Sequence, residues 1–195
     1  MDTVIESLLR PVKLWSRDEV LARPSPVSKC AGVYAWFFRR VPPIIPVADC
    51  LIRDGYTLLY IGISPKAPPA NGAPASRENL SSRIRYHMRG NAEGSTLRLT
   101  LGCLLSNQLG IELRRVGSGT RMTFSAGEAS LSTWMAENAR VCWASHPEPW
   151  VPEEKLIRTI SLPFNLDQNS SHCFHSALSL LRRQARMRAR VLPCV

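Results

Sequence analysis

The stretch Leu58-Leu59-Tyr60-Ile61-Gly62-Ile63-Ser64, followed by Asn79-Leu80-Ser81-Ser82-Arg83-Ile84-Arg85-Tyr86-His87-Met88-Arg89-Gly90, decides how the chain is read. The first piece is short, apolar and aromatic and runs into Pro65, the pattern of a buried strand. In the second, Leu80, Ile84 and Met88 recur every four residues and lay an apolar stripe along a helix. Arg83 and His87 share that spacing and stand one turn apart on a neighbouring face. Gly90 is expected to stop the helix as a left-handed cap does. A tyrosine at a strand end beside an arginine and a histidine on the next helix is suited to handling an anion.

Working outward, Ala31–Phe38 is a second strand, rich in aromatics. Arg39, Arg40 and the prolines at 42, 43 and 46 break it, so the residues up to 56 form a long connection and the two strands are expected to pair antiparallel. Arg140–Ala144 alternates like a third strand, and Arg121–Phe124 like a short one. Ala126–Asn138 has a helical pattern. Ser95–Leu105 is either a helix or an extended segment by its periodicity. Pro152 marks a helix start, because its missing N–H is unpaired there anyway, and that helix runs over Glu153–Ile160. A Pro/Ala-rich loop spans residues 65–75. At the ends, residues 1–23 read as an amphipathic helix and an arm, and Phe174–Arg190 as a helix carrying five arginines.

The 195 residues suffice for one domain with a real core, and 45% hydrophobic content excludes disorder throughout. The formal net charge of +10 favours polyanionic partners, nucleic acid first. No run of 18 apolar residues occurs, so no membrane partner is expected, and the first 15 residues do not read as a signal peptide. The six cysteines stand apart, with no Cys-x-x-Cys, and read as reduced thiols of a cytoplasmic protein. Cys142 with His146, and His172-Cys173 with His175, lack the paired spacing of a zinc site.

Together these pieces resemble the GIY-YIG nuclease superfamily. Gly32-Val33-Tyr34 matches the first tripeptide and Tyr60-Ile61-Gly62 the second; Arg83 and His87 match the arginine helix. The segment from Glu154 through Leu156, Ile157 and Arg158 to Asn165 is similar to one in the family's excision-repair incision nucleases. The 25 residues between Tyr34 and Tyr60 are about twice the family's usual spacing, which a loop insertion accommodates at little entropic cost. The resemblance implies an α+β domain over residues 30–169, with a small three-stranded, mainly antiparallel sheet flanked by helices. Residues 1–29 then form an added N-terminal helix and arm, and 170–195 a basic C-terminal helix.

What it implies for function is a divalent-metal-dependent endonuclease that hydrolyses DNA phosphodiester bonds. The expected cofactor is Mg²⁺ or Mn²⁺ held by Glu154, a hard oxygen ligand. Arg83 would neutralise the phosphate with permanently charged planar donors. Tyr34 would be the base, with Tyr60 and His87 sharing the proton relay or touching the phosphate. Asn165 would hold the glutamate-bearing segment or the phosphate. Arg85, Arg89, Arg182, Arg183, Arg186, Arg188 and Arg190 are the expected nucleic-acid contacts, toward double-stranded or branched DNA. Cutting two strands with one small site needs two copies or two encounters, which leaves a homodimer open. Each residue also has a plainer reading: sheet aromatics, solvated helix charges, a first-turn carboxylate that Glu153 would replace equally well, a turn asparagine. A non-cleaving nucleic-acid-binding module of the same fold, or a basic scaffold, are the alternatives.

Overall fold

The computed structural model describes residues 3–69 and 76–195. Its centre is β1 (Gly32–Phe38), every residue of which is buried. Side chains alternate across a strand. Tyr34, Trp36 and Phe38 therefore enter one hydrophobic cluster, and Val33, Ala35 and Phe37 enter another. A strand buried on both faces reads as a continuous apolar run, which is why β1 shows no polar alternation.

On either side of β1 lie β3 (Tyr56–Ser64) and β6 (Ala139–Ser145), both antiparallel to it. These are the three expected strands. A fourth, β2 (Ile52–Arg53), pairs with the start of β3 and completes the order β2-β3-β1-β6. Asp54 and Gly55 join β2 to β3 with φ of 49° and 74°, the positive values that a type I′ hairpin turn requires. Residue register slips between Trp36 and Phe37, leaving Leu59 as an extra residue in β3. That bulge turns both Leu59 and Tyr60 toward the Tyr34 side of the sheet, with Leu58 and Ile61 on the other.

Helices cover both faces. α1 (Thr3–Leu9), through Ile5 and Leu8, and α7 (Trp150–Thr159), through Leu156 and Ile157, pack on the Val33 face. The Tyr34 face carries α2 (Arg17–Leu21), α3 (Leu80–Arg89), α4 (Thr96–Leu104), α6 (Gly127–Asn138) and α8 (His175–Val191). The short α5 (Ser106–Leu109) and the hairpin of β4 (Arg114–Val116) with β5 (Arg121–Thr123) lie between α4 and α6 in the chain. The N-terminal segment is two short helices where one was expected. Between them Trp15 exchanges backbone hydrogen bonds with Val141, adding a bridge at the β6 edge.

α3 starts where its residues dictate. Asn79 Oδ1 accepts the Ser82 N–H, and Ser82 Oγ accepts the Asn79 N–H, a reciprocal cap. Leu80, Ile84 and Met88 are fully buried. Gly90 does end the helix, but with φ −82° and not as the left-handed cap expected. The reason for glycine is Tyr86, whose ring and carbonyl would lie within 2.5–2.7 Å of any Cβ at this position. Ser95–Leu105 resolves as the helix α4, capped by Ser95. α7 begins two residues before Pro152. All six cysteines are free thiols. No helix among the described residues is long and apolar enough to cross a membrane. Residues 70–75 of the Pro/Ala-rich loop lie outside the described residues.

Candidate active site

Tyr34 and Gly62 are partners across the β1–β3 pair. The tyrosine ring lies over the glycine so closely that a Cβ on Gly62 would meet its Oη at 2.5 Å and its Cζ at 2.7 Å. Gly32 serves α3 in the same way: a Cβ there would strike the Ala144 carbonyl and Leu80. The two glycines thus let a ring and a helix close over the end of the sheet.

Beneath Tyr34 lies a buried chain of polar groups. Its Oη is 2.9 Å from His87 Nε2, and His87 Nδ1 is 2.7 Å from Ser95 Oγ. Ser95 Oγ also accepts the Arg98 backbone N–H, so among the described residues its own O–H has one acceptor within reach, His87 Nδ1. Ser95 is fully buried, and a buried hydroxyl must place its proton. The accounting puts the imidazole hydrogen on Nε2, from which it is donated to the Tyr34 oxygen. Burial, with Arg83 and Arg98 nearby, holds His87 well below its ordinary value, so it is a neutral donor. The nearby Arg83 charge also acts to lower the Tyr34 value. A donor on the phenol oxygen and a guanidinium nearby favour its ionised form, and the His87 bond leaves its own O–H to point elsewhere. Burial nevertheless dominates and raises the Tyr34 value well above 10 in the free protein.

Tyr34 opens into a groove with a volume of about 670 Å³, lined also by Tyr60, Gly62, Arg83 and Thr96. The Arg83 guanidinium donates to the Gly94 carbonyl at 2.9 Å and lies 3.9 Å from Glu78. Tyr60 Oη lies 3.3 Å from Thr96 Oγ1, and burial raises its value too. His87 is not on the groove surface but supports Tyr34 from below.

The structure does not bring Glu154 to this site. Its carboxylate is 47% exposed and pairs with Arg158 one turn away, at 2.6 Å. Glu153 lines the groove together with Ile157, its neighbour four residues on. Burial, and then Asp167, push the Glu153 carboxyl up to about 7, while Lys66 opposes them. Asn165 lines the groove, but its amide is occupied: Oδ1 accepts the Ile61 N–H at 2.9 Å, and Nδ2 donates to the Ile61 carbonyl at 2.8 Å. With the Phe164 N–H on the Leu59 carbonyl, this pins the segment after α7 along β3, whose edge would otherwise be open there.

The expected basic contacts divide into two groups. Arg182, Arg183, Arg186 and Arg190 line the groove. Arg85 instead donates to the Val20 carbonyl and ties α3 to α2, Arg188 pairs with Glu112, and Arg89 is exposed away from the groove lining. The sequence reading missed Lys66, Trp150 and Asp167, which also line the groove; none sits in a motif, and only the fold gathers them. Among the described residues no cluster of three or more His, Cys, Asp or Glu could hold a metal, so neither zinc candidate forms one.

A family model described as "GIY-YIG catalytic domain" matches residues 32–186. No curated protein and no solved structure matches the chain significantly.

Proposed function

The chain belongs to the GIY-YIG catalytic-domain family, and on that premise we propose that it is a metal-dependent endonuclease that hydrolyses phosphodiester bonds of DNA in the groove above Tyr34. The observation that carries this reading is the pairing of Tyr34, with the His87 imidazole on its oxygen, and the carboxylate Glu153 on one groove lined by arginines.

The donor set fits a hard divalent cation. Mg²⁺ is usually held by one or two carboxylates and keeps several waters. Glu153, with Asp167 on the same groove, supplies that number of oxygen ligands. When bound, Mg²⁺ or Mn²⁺ would neutralise charge on the phosphate and ease departure of the leaving oxygen. We assign the metal ligand to Glu153 in place of Glu154.

The chain's own residues do the rest. Tyr34 takes a proton from the attacking water as the water oxygen bonds to phosphorus and the P–O bond to the leaving oxygen breaks. Ionising an ordinary tyrosine at pH 7 costs about 4 kcal/mol, and burial adds to it. His87 Nε2–H offsets that cost by donating to the phenolate, and the Arg83 charge by its proximity. Arg83 and the α8 arginines hold the phosphates. Tyr60 packs beside Tyr34, with ring centroids 6.5 Å apart, and contacts the phosphate through its hydroxyl. Asn165 positions the segment that follows Glu153.

Incubating the purified protein with supercoiled plasmid and branched DNAs, in Mg²⁺, Mn²⁺ or EDTA, tests the reading. Nicking in either metal and none in EDTA is the expected result. DNA binding without cleavage under every condition would leave a binding module and contradict it.

A further inference from the structure

We propose, resting on the nuclease reading above, that DNA enters this groove as a single strand splayed from its duplex, with a base stacked on Trp150 and its phosphates along α8. This narrows the substrate from double-stranded or branched DNA to the single-stranded arm of a branched or frayed one.

Four observations lead there. The groove, at about 670 Å³, is the size of pockets that enclose small ligands. Tyr34 lines this groove and is only 1% exposed, so a phosphate must come down into the groove to reach it. The basic residues form one row: Arg182, Arg186 and Arg190 recur every four residues, about 6 Å apart along the helix axis, which suits one backbone. Within that row Arg182 Nε is buried and has no hydrogen-bond partner, a donor left for an anion.

Trp150 supplies the second ingredient of single-strand binding. It is half-buried at the first position of α7 and lines the groove, and no protein ring stacks on it among the described residues. Stacking of bases on aromatic side chains beside a cationic track holds single strands without reading their sequence, because every base has a flat face. A base held inside a duplex offers that face to its neighbours and not to Trp150.

The test is fluorescence anisotropy in EDTA with a labelled 12-nucleotide single strand, a blunt duplex of the same sequence, and a fork with one single-stranded arm. The single strand and the fork should bind about tenfold or more tighter than the duplex. Trp150→Ala should lose about tenfold of single-strand affinity, and Trp150→Phe should keep most of it. Circular dichroism checks that each variant is folded. A duplex that binds as tightly as the single strand, or a folded Trp150→Ala with unchanged single-strand affinity, overturns the proposal. Cleavage of the same three DNAs in Mg²⁺ and Mn²⁺ separates the two claims. Equal affinity and equal cutting of duplex and fork would sink the single-strand inference while the nuclease reading stands. Single-strand preference with no cleavage would support the inference while the nuclease reading falls.

Discussion

The ring of Tyr34 occupies the volume that Gly62 leaves empty on the neighbouring strand. The second tripeptide's glycine is thus the reason the first tripeptide's tyrosine can lie flat over the sheet and reach His87. A methyl group at residue 62 would have to displace that ring, and β1, which carries it, is buried along its whole length. Gly62→Ala should therefore cost about 1–3 kcal/mol of stability, the usual range for overpacking. It should also lower cleavage by more than this loss explains, because the Tyr34 oxygen leaves its donor. Urea unfolding and a cleavage assay on the folded fraction measure both.

Two adjacent carboxylates make opposite predictions. Glu153→Gln should abolish metal-dependent cleavage while DNA binding in EDTA survives. Glu154→Gln breaks only an exposed pair with Arg158, worth about 0.3–0.5 kcal/mol at this helical spacing, and should cut at the wild-type rate. The reverse pattern would restore Glu154 as the metal ligand.

That contrast also shows where sequence reading ran out. Strands β1, β3 and β6 and helices α3 and α8 were legible because apolar spacing is a local signal. The choice between Glu153 and Glu154 was not, since successive helix residues point about 100° apart and only packing against the sheet says which faces the groove. Arg85 looked like a phosphate contact until α2, 65 residues away in sequence, took its guanidinium. Gly90 was found at the right place for the wrong reason, because the Tyr86 ring and not backbone strain excludes other residues. The β2 hairpin carried its Asp54-Gly55 signal, but a strand of two residues has no period to detect.

Beneath the site, Arg98 is fully buried and its guanidinium donates to Glu128 Oε2 at 2.6 Å and to the His87 carbonyl at 3.2 Å. Glu128 Oε1 accepts the Ala92 and Phe124 N–H groups. Removing the carboxylate leaves the buried guanidinium with the His87 and Glu128 carbonyls and Ser132 but without its counter-charge. Glu128→Ala should lower stability by about 3–5 kcal/mol in urea titration, far more than any exposed pair in the chain.

Glu153 also predicts how stability varies with pH. Its value in the folded protein, about 7, lies above the ordinary 4.5. Such a group contributes its full stabilisation below the unfolded value and loses it as pH rises through the folded one. Wild type should therefore lose stability between about pH 4.5 and about 7 relative to Glu153→Gln, whose profile lacks this slope. Saturating Mg²⁺ should recover the loss in wild type alone. Superimposable pH profiles of the two proteins would show that Glu153 is not buried as described.

The account rests on Tyr34 as the group that activates water, and the most direct measurement is the single-turnover cleavage rate of Tyr34→Phe as a function of pH, on a DNA the wild type cuts. The variant keeps the ring over Gly62 and should fold. Its rate should fall by a factor on the order of 10²–10⁴, the range for a lost acid–base group. The wild-type rate should climb toward alkaline pH, since burial raises the Tyr34 value, and that climb should be absent from the variant. A Tyr34→Phe protein that cuts at the wild-type rate with an unchanged pH profile would contradict the account.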